Sequence, residues 1–183
     1  MPSFASPHPR YQQSFLACVQ EIRDAGEDDH WTGLTIFGEE TYTVEELAGP
    51  ADPAAFAAFA QRLRELALPE TRRPEGMVPA STLWWVDGDE YLGRLSIRHE
   101  LTDVLREFGG HIGYVVRPSA RRQGHAGAML AASLPFARAL GIDPALVTCD
   151  ADNAGSRRVI ESGGGVLEDQ REDKLRFWVP TSP

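Results

Sequence analysis

The feature that most constrains the fold is a strand, a short basic loop and a helix in direct succession. Residues 111–116 are predicted to form a strand, and Pro118 prevents it from continuing as a central strand. Apolar residues at helical spacing over 124–140 predict a helix after the loop, with a kink or a break at Pro135. This succession requires the chain to reverse at the loop and to pack the helix against a sheet.

The loop, Arg121-Arg122-Gln123-Gly124-His125-Ala126, has the properties of an anion-binding site. Gly124 lets the backbone approach a ligand without a side chain in the way, and Ala126 is small for the same reason. The first helical turn presents free N–H groups, and the helix dipole adds about half a positive charge there. Such a site suits a phosphate or a pyrophosphate. The alternative interpretation is a plain helix start with two solvated arginines.

Spacing and composition exclude several other classes of protein. The chain contains no Gly-Lys pair, which a Walker loop requires, and Gly124-His125-Ala126 does not supply a dinucleotide fingerprint. With a net charge of −9, the chain is a poor binder of nucleic acid or of an anionic membrane. It has no apolar run of about 20 residues and no signal-peptide pattern, so we expect a cytoplasmic protein. The five histidines lack metal-ligand spacing, so we expect no metal, and Cys18 and Cys149 are expected to be buried thiols.

The order of the other predicted elements indicates the architecture. Amphipathic patterns predict helices at 11–26 and after Asp52-Pro53, and Thr43-Val44-Glu45-Glu46 is a capping-box pattern. From residue 81 the period changes, and the further elements are strands at 83–86, 91–98, 146–150, 166–169 and 174–179 and a helix at 154–162. Residues 101–108 are ambiguous between a helical turn and a loop. This order predicts an α/β fold with three layers, α/β/α, in which helices flank a mixed, mostly antiparallel central sheet.

Two motifs follow each other in the second half of the chain. The first is Arg121-x-x-Gly124-x-Ala126 after Val116-Arg117-Pro118, and the second is the strand at 146–150 followed by Asn153, Ser156 and Gly163-Gly164. In this order they resemble the GNAT superfamily of N-acetyltransferases, and the string 109–114 together with Asn153-x-x-Ser156 is similar to a branch of predicted acetyltransferases. The resemblance is strong over residues 81–179 and weak before residue 80. It implies a single GNAT-like domain over 1–183, with a divergent helical part at 1–80.

The resemblance also implies how acetyl-CoA, the expected co-substrate, is bound. Backbone groups of Tyr114, Val115 and Val116 would bond the pantetheine arm where two strands part. The pyrophosphate would be held by the loop, whose members are Arg121, Arg122, Gln123, Gly124, His125, Ala126 and Gly127. Asn153 would bond the pantetheine or an ordered water, with Ser156 beside it. The alternative for Asn153 is the N-cap of the following helix, and the two roles are compatible.

The catalytic groups are less clearly indicated than the cofactor site. An amine with a pKa of about 10.4 must lose a proton before it attacks a thioester. The candidate bases are Glu100, His111 and Asp150, each of which has a plain structural alternative. Many members of the family carry a tyrosine that protonates the leaving thiolate, and in this chain that position is Ile160. The hydroxyl of Tyr114 is an alternative donor, although packing is the more ordinary role of a tyrosine within a strand.

These features together predict an acyltransferase. The expected reaction is direct transfer of an acetyl group from acetyl-CoA to a primary amine, on a small molecule or a peptide. The absence of tyrosine at Ile160 motivates a different interpretation, an inactive acyl-CoA-binding sensor or interaction module. The resemblance also allows a homodimer, because dimers are common in the family.

Overall fold

The computed structural model describes residues 1–27, 35–36, 40–41, 43, 46–47 and 53–182. Strands and helices alternate along most of this length. The helices are α1 (Gln12–Asp24), α2 (Pro53–Glu65), α3 (His125–Ala139) and α4 (Ala154–Ser162). The strands are β1 (Ser3–Ala5), β2 (Thr35–Ile36), β3 (Glu40–Thr41), β4 (Ala80–Asp87), β5 (Glu90–Arg98), β6 (Ile112–Val116), β7 (Ala145–Asp150), β8 (Val166–Arg171) and β9 (Lys174–Val179).

A seven-stranded sheet runs through the centre of the molecule in the order β1-β4-β5-β6-β7-β9-β8. All neighbouring strands in it are antiparallel except β6 and β7, which are parallel. A parallel pair needs a crossover connection, and α3 supplies it here. This confirms the predicted mixed, mostly antiparallel sheet.

Two separate cores lie on the two faces of this sheet. On one face, α3 and α4 bury aliphatic side chains against the strands, among them Leu95, Met129 and Ile160. On the other face, α1 and α2 enclose an aromatic core, in which the Phe15 ring stacks on Trp84 at 5.3 Å between centroids. The three layers predicted from the element order are therefore confirmed. Trp84 is buried in the aromatic core and Trp85 in the aliphatic core.

The parallel strands β6 and β7 meet at one point and then part. In the described chain their register consists of Ile112 opposite Val147. Just before it, the His111 amide donates to the Leu146 carbonyl at 2.7 Å, and the Leu146 amide donates to His111 Nδ1 at 2.9 Å. Gly110 has a φ of 63°, and a Cβ there would lie 2.6 Å from the Leu146 carbonyl oxygen. We call the gap between residues 113–116 and 148–150 the splay.

Several local features differ from expectation for physical reasons. Strand β1, which pairs with β4, had no signal because three residues carry too little periodicity. Helix α3 runs through Pro135 without ending; Pro135 and Ala131, whose carbonyl loses its helical donor, are both exposed, so water can serve that carbonyl. The ambiguous stretch forms a π-helical turn at Leu105–Gly109.

The N-terminal half contains one confirmed capping box. The Thr43 amide donates to Glu46 Oε2 at 2.8 Å, and the Glu46 amide donates to Thr43 Oγ1 at 3.1 Å. These reciprocal bonds are the predicted pattern, and Leu47 next to it is fully buried. The predicted N-cap Asp52 lies outside the described residues.

His111, at the point where β6 meets β7, makes the stability of the protein depend on pH. Burial, together with Arg106 and Arg98, lowers the pKa of His111 to about 4. In the unfolded chain an imidazole has a pKa of about 6.5, so between these values the unfolded chain binds more protons. The free energy of unfolding must therefore fall as the pH falls through this window, by about 1–2 kcal/mol from pH 7 to pH 5.

The variant His111→Gln tests this contribution. A glutamine oxygen can still accept from the Leu146 amide but does not titrate, so we expect the variant to lose about 1–2 kcal/mol less over the same interval. Urea unfolding of both proteins at pH 7 and pH 5 measures the difference. Equal losses in the two proteins would contradict the lowered pKa.

Candidate active site

The loop between β6 and α3 forms an open cradle of backbone amides. Gly124, the N-cap of α3, has a φ of 84°, a conformation that favours glycine. The first helical bond runs from the Ala128 amide to the Gly124 carbonyl at 3.1 Å. The amides of residues 125–127 precede it, and at a helix start such amides have no acceptor within the helix. A Cβ on Gly124 or Gly127 would meet no heavy atom within 4 Å, so the space where a side chain would project from either glycine is open.

Two arginines fasten this loop to helix α1. Arg121 donates from Nη1 and Nη2 to the two carboxylate oxygens of Glu27, each at 2.7 Å. Arg117 donates to Glu21 at 2.6 and 2.8 Å, and this contact lowers the pKa of Glu21 below its ordinary value. The charge predicted for Arg121 is thus matched by Glu27, while Arg122 is exposed. The first residue of the motif holds the loop in place.

The other side chains of the loop do not fill the cradle. The Trp85 indole N–H donates to His125 Nδ1 at 3.3 Å, which ties the imidazole to β4. Gln123 Nε2 donates to the Ser119 carbonyl at 3.3 Å, within the loop itself. Ala126 packs against the core beneath α3. The backbone amides are therefore the groups that this loop offers to an anion.

One edge of β6 faces the splay. Residues 113–116 pair with β5 on the other edge, with Val115 opposite Arg94 and Gly113 opposite Ser96. Tyr114 and Val116 point to the side of α3 and α4. The edge toward β7 has no register with that strand beyond Ile112 in the described chain. An extended chain of amides can bond such an edge as an added strand does.

The start of α4 brings two hydroxyl groups together. Asn153 Oδ1 accepts from the Ser156 amide at 2.9 Å, which confirms the N-cap role and leaves the Asn153 side-chain N–H groups available. Ser156 Oγ lies 2.7 Å from Tyr114 Oη. Burial raises the pKa of Tyr114 to about 12, and the bond to Ser156 opposes that rise. Ile160 is completely buried in the aliphatic core.

The three candidate bases occupy different places. His111 lies at the closed end of the splay, where its Nδ1 accepts from the Leu146 amide and its Nε2 therefore carries the proton of the neutral ring. Asp150 ends β7 at the open end, forms an ion pair with Lys174, and is half-exposed. Glu100 is exposed, two residues beyond the end of β5. The structure thus brings His111 and Asp150 to the splay and leaves Glu100 outside it.

The sequence reasoning did not identify the polar residues on the opposite face of β5. Leu95 and Ile97 point into the aliphatic core, so alternation places Arg94, Ser96 and Arg98 on the side of α1 and α2. Arg98 Nη1 donates to the carbonyls of residues 109 and 110 at 3.0 and 3.1 Å. The signal was present in the sequence as Arg-x-Ser-x-Arg within an apolar strand.

Two kinds of feature are absent from the described part of the chain. Over these residues no group of three or more His, Cys, Asp or Glu side chains is placed to hold a metal ion. Within the same ranges no helix has the length and hydropathy needed to cross a bilayer.

Comparisons with solved structures agree on the fold. RimJ of Mycobacterium smegmatis, solved with a CoA disulfide, has a TM-score of 0.65 at 18% identity, covering 98% of this chain and 81% of RimJ. The microcin C7 self-immunity acetyltransferase MccE, solved with acetyl-CoA and AMP, has a TM-score of 0.60 at 12% identity, covering 98% and 92%. The spermidine/spermine N-acetyltransferase SpeG of Vibrio cholerae has a TM-score of 0.60 at 10% identity, covering 100% and 96%.

Sequence comparison identifies the family. No curated protein sequence matches the chain significantly. The family model described as an acetyltransferase (GNAT) domain matches residues 21–166, which is most of the chain and begins well before the two motifs. The chain therefore belongs to the GNAT family of acetyltransferases, which confirms the family, the fold class and the acyltransferase class predicted from its motifs.

Proposed function

We propose that this chain transfers an acetyl group from acetyl-CoA directly to a primary amine. The observation that carries the proposal is the position of the open amide cradle at the start of α3, directly after the strand that borders the splay. A pyrophosphate in the cradle and a pantetheine arm along β6 would use both at once. Membership of the family makes acetyl-CoA the co-substrate, and two of the similar structures contain acetyl-CoA or a CoA disulfide.

The chain's own groups divide the binding of acetyl-CoA between them. Amides of residues 122–127 would bond the pyrophosphate, and the helix dipole favours its charge. The free edge of Tyr114, Val115 and Val116 would bond the pantetheine amides. The unused N–H groups of Asn153 lie on the far side of the splay and would complete that contact. When bound, acetyl-CoA supplies the thioester that the amine attacks.

The hydroxyl pair at the start of α4 is the best candidate to protonate the leaving thiolate. Ser156 Oγ and Tyr114 Oη are 2.7 Å apart and both border the splay. In our proposal the Ser156 hydroxyl donates to the thiolate, and Tyr114 donates in turn to Ser156. This pair would replace the tyrosine that Ile160 does not supply, and it weakens the case for an inactive sensor.

A carboxylate at the splay is the best candidate to remove the proton from the amine. Val147 and Cys149 of β7 point into the aliphatic core, so the alternation of side chains along the strand places Asp150 on the other face, toward α1 and α2. His111 is a weaker base candidate, because its Nδ1 already accepts from the Leu146 amide and its Nε2 carries the proton of the neutral ring. Glu100 stays a prediction that no contact ties to the splay. We assign the proton to Asp150, directly or through water.

Two measurements test the proposed function. Thermal unfolding with and without acetyl-CoA tests binding, and release of free thiol with a panel of primary amines tests transfer. We expect stabilisation by acetyl-CoA and thiol release that requires an amine. Stabilisation without thiol release for any amine would favour the sensor interpretation, and no stabilisation at all would contradict both.

A charge placed in the cradle should weaken acetyl-CoA binding without harming the fold. Gly127 is the third residue of α3, with open space around it. In Gly127→Glu the carboxylate would favour the helix start but repel a pyrophosphate, so we expect unchanged or higher stability and about 10–100-fold weaker acetyl-CoA binding. Isothermal titration calorimetry measures the affinity.

The matched control for this variant is Ala131→Glu. Ala131 is exposed on the same helix, about one turn further from the loop, and receives the same charge. Its affinity for acetyl-CoA should stay close to that of the wild type. Equal affinities for all three proteins would place the pyrophosphate elsewhere.

Removal of the hydroxyl pair should slow transfer and leave binding intact. We expect Ser156→Ala to lower kcat by about 10²-fold and Tyr114→Phe to lower it less, because only the first hydroxyl contacts the thiolate. Steady-state thiol release gives kcat, and calorimetry gives the affinity for acetyl-CoA. Ser162→Ala, an exposed serine on the same helix, serves as the control. A wild-type kcat in Ser156→Ala would contradict the proposed donor.

A further inference from the structure

Arg98 lies beside the closed end of the splay, on the face of the sheet away from α3 and α4. Its amide donates to the His111 carbonyl at 2.7 Å, and the His111 amide in turn donates to Leu146, where β6 meets β7. Along the same face of β5, Ser96 lies opposite Gly113 and Arg94 lies opposite Val115. Because Gly113 has no side chain, no side chain projects from this position of β6 beside the splay. These residues form the part of the face toward α1 and α2 that borders the splay.

Arg98 differs from Arg117 and Arg176 in its partners. Arg117 pairs with Glu21, and Arg176 pairs with Glu168 and Asp169. Arg98 instead donates through Nη1 to two backbone carbonyls, of residues 109 and 110. No carboxylate within the described ranges forms an ion pair with it. Its Nε and Nη2 carry donors that neither of these carbonyls uses.

The guanidinium of Arg98 remains charged at neutral pH, although burial, with Arg94 nearby, lowers its pKa to about 10. After burial, Arg106 and Arg98 also contribute to the lowered pKa of the neighbouring His111. Arg98 and the exposed Arg106 therefore both carry positive charge beside the closed end of the splay.

We propose that the acceptor amine carries a carboxylate, and that Arg98 binds this carboxylate while the amine reaches the splay. The inference rests on the proposed function, because it concerns the acceptor of that reaction. A guanidinium removed from water without a counter-ion is costly, and an incoming carboxylate would relieve that cost. The planar guanidinium also matches a carboxylate with two parallel hydrogen bonds, here from Nε and Nη2.

The same arrangement argues against a polycationic acceptor. The guanidinium of Arg98, with Arg106 nearby, would repel a second ammonium group on the acceptor. SpeG shares this fold and is a spermidine/spermine acetyltransferase. We infer that the present chain differs from it in the sign of the charge that accompanies the acceptor amine.

Matched pairs of acceptors test this inference. The panel consists of ω-amino acids with two to six carbons, the corresponding ω-amino acid amides, and spermidine. Each amide has the same amine and spacer as its acid but no negative charge. We expect kcat/KM for at least one acid to exceed that of its amide by about tenfold or more, as for a hydrogen-bonded charge. Varying the spacer finds the distance between amine and carboxylate that the site accepts.

Variants of Arg98 connect that preference to one residue. In Arg98→Met the ratio of acid to amide should fall to about one, while kcat/KM for the amide and stabilisation by acetyl-CoA stay near wild type. Arg98→Lys keeps the charge without the planar fork and should retain part of the preference. Arg138→Met, an exposed arginine on α3, is the control and should keep the wild-type ratio. Circular dichroism and thermal unfolding verify the fold of each variant.

The outcomes separate this inference from the proposed function. Equal use of acids and amides by the wild type, preference for spermidine, or an unchanged ratio in Arg98→Met would each overturn the carboxylate site and leave the acetyltransferase proposal standing. Stabilisation by acetyl-CoA without thiol release from any acceptor would overturn both the carboxylate site and the transfer activity. A preference for acids that Arg98→Met abolishes would support both.

Discussion

The candidate site depends on the way in which β6 and β7 pair at one end and then part. A parallel pair could bond along its whole length, yet here the register in the described chain consists of Ile112 opposite Val147. The two bonds between His111 and Leu146 hold the strands at that end. Gly110 permits the approach because any side chain there would meet the Leu146 carbonyl. Because the strands are joined at one end and apart at the other, the edge of β6 that we propose binds the acyl donor has no register with β7 beyond Ile112 in the described chain.

The second constraint is the attachment of the loop between β6 and α3 to helix α1 and the residues that follow it. A helix start offers amides only if the loop before it keeps a fixed shape. Two carboxylates of α1 and the residues that follow it, Glu21 and Glu27, bond Arg117 and Arg121 on either side of the turn at Pro118–Ala120. Since both pairs are partly exposed, each contributes modestly to stability. Their effect is on position, because they orient the loop from the opposite side of the sheet.

Much of the fold, and the loop between β6 and α3, could be predicted from local patterns in the sequence. Strand alternation in 91–98, the apolar stripe in 124–140 and the loop glycine each depend on residues close in sequence. The features that were missed join residues that are far apart. Arg121 meets Glu27, 94 positions away, and Tyr114 meets Ser156, 42 positions away. Periodicity does not report such pairs, because they depend on how the helices pack on the sheet.

The sequence indicated the groups for chemistry less clearly than those for binding, and the reason is physical. The resemblance supplied a position for the thiolate donor, Ile160, and the fold uses that position for the aliphatic core. The hydroxyl of Tyr114 comes instead from a strand and meets that of Ser156 at the start of α4. Likewise, the alternation that places Arg98 on the face of β5 toward α1 and α2 is visible in the sequence, but only the structure shows that no carboxylate in the described ranges pairs with it.

The two cores lie on opposite faces of the sheet, and each supports a different part of the candidate site. In the function proposed here, the acyl donor would bind at the loop before α3 and along the edge of β6, while the acceptor would approach from the layer of α1 and α2. Side chains of one core do not pack against those of the other, so a substitution in one need not disturb the second. Related proteins with this fold could therefore change their acceptor through substitutions in one layer while they keep the same acyl donor.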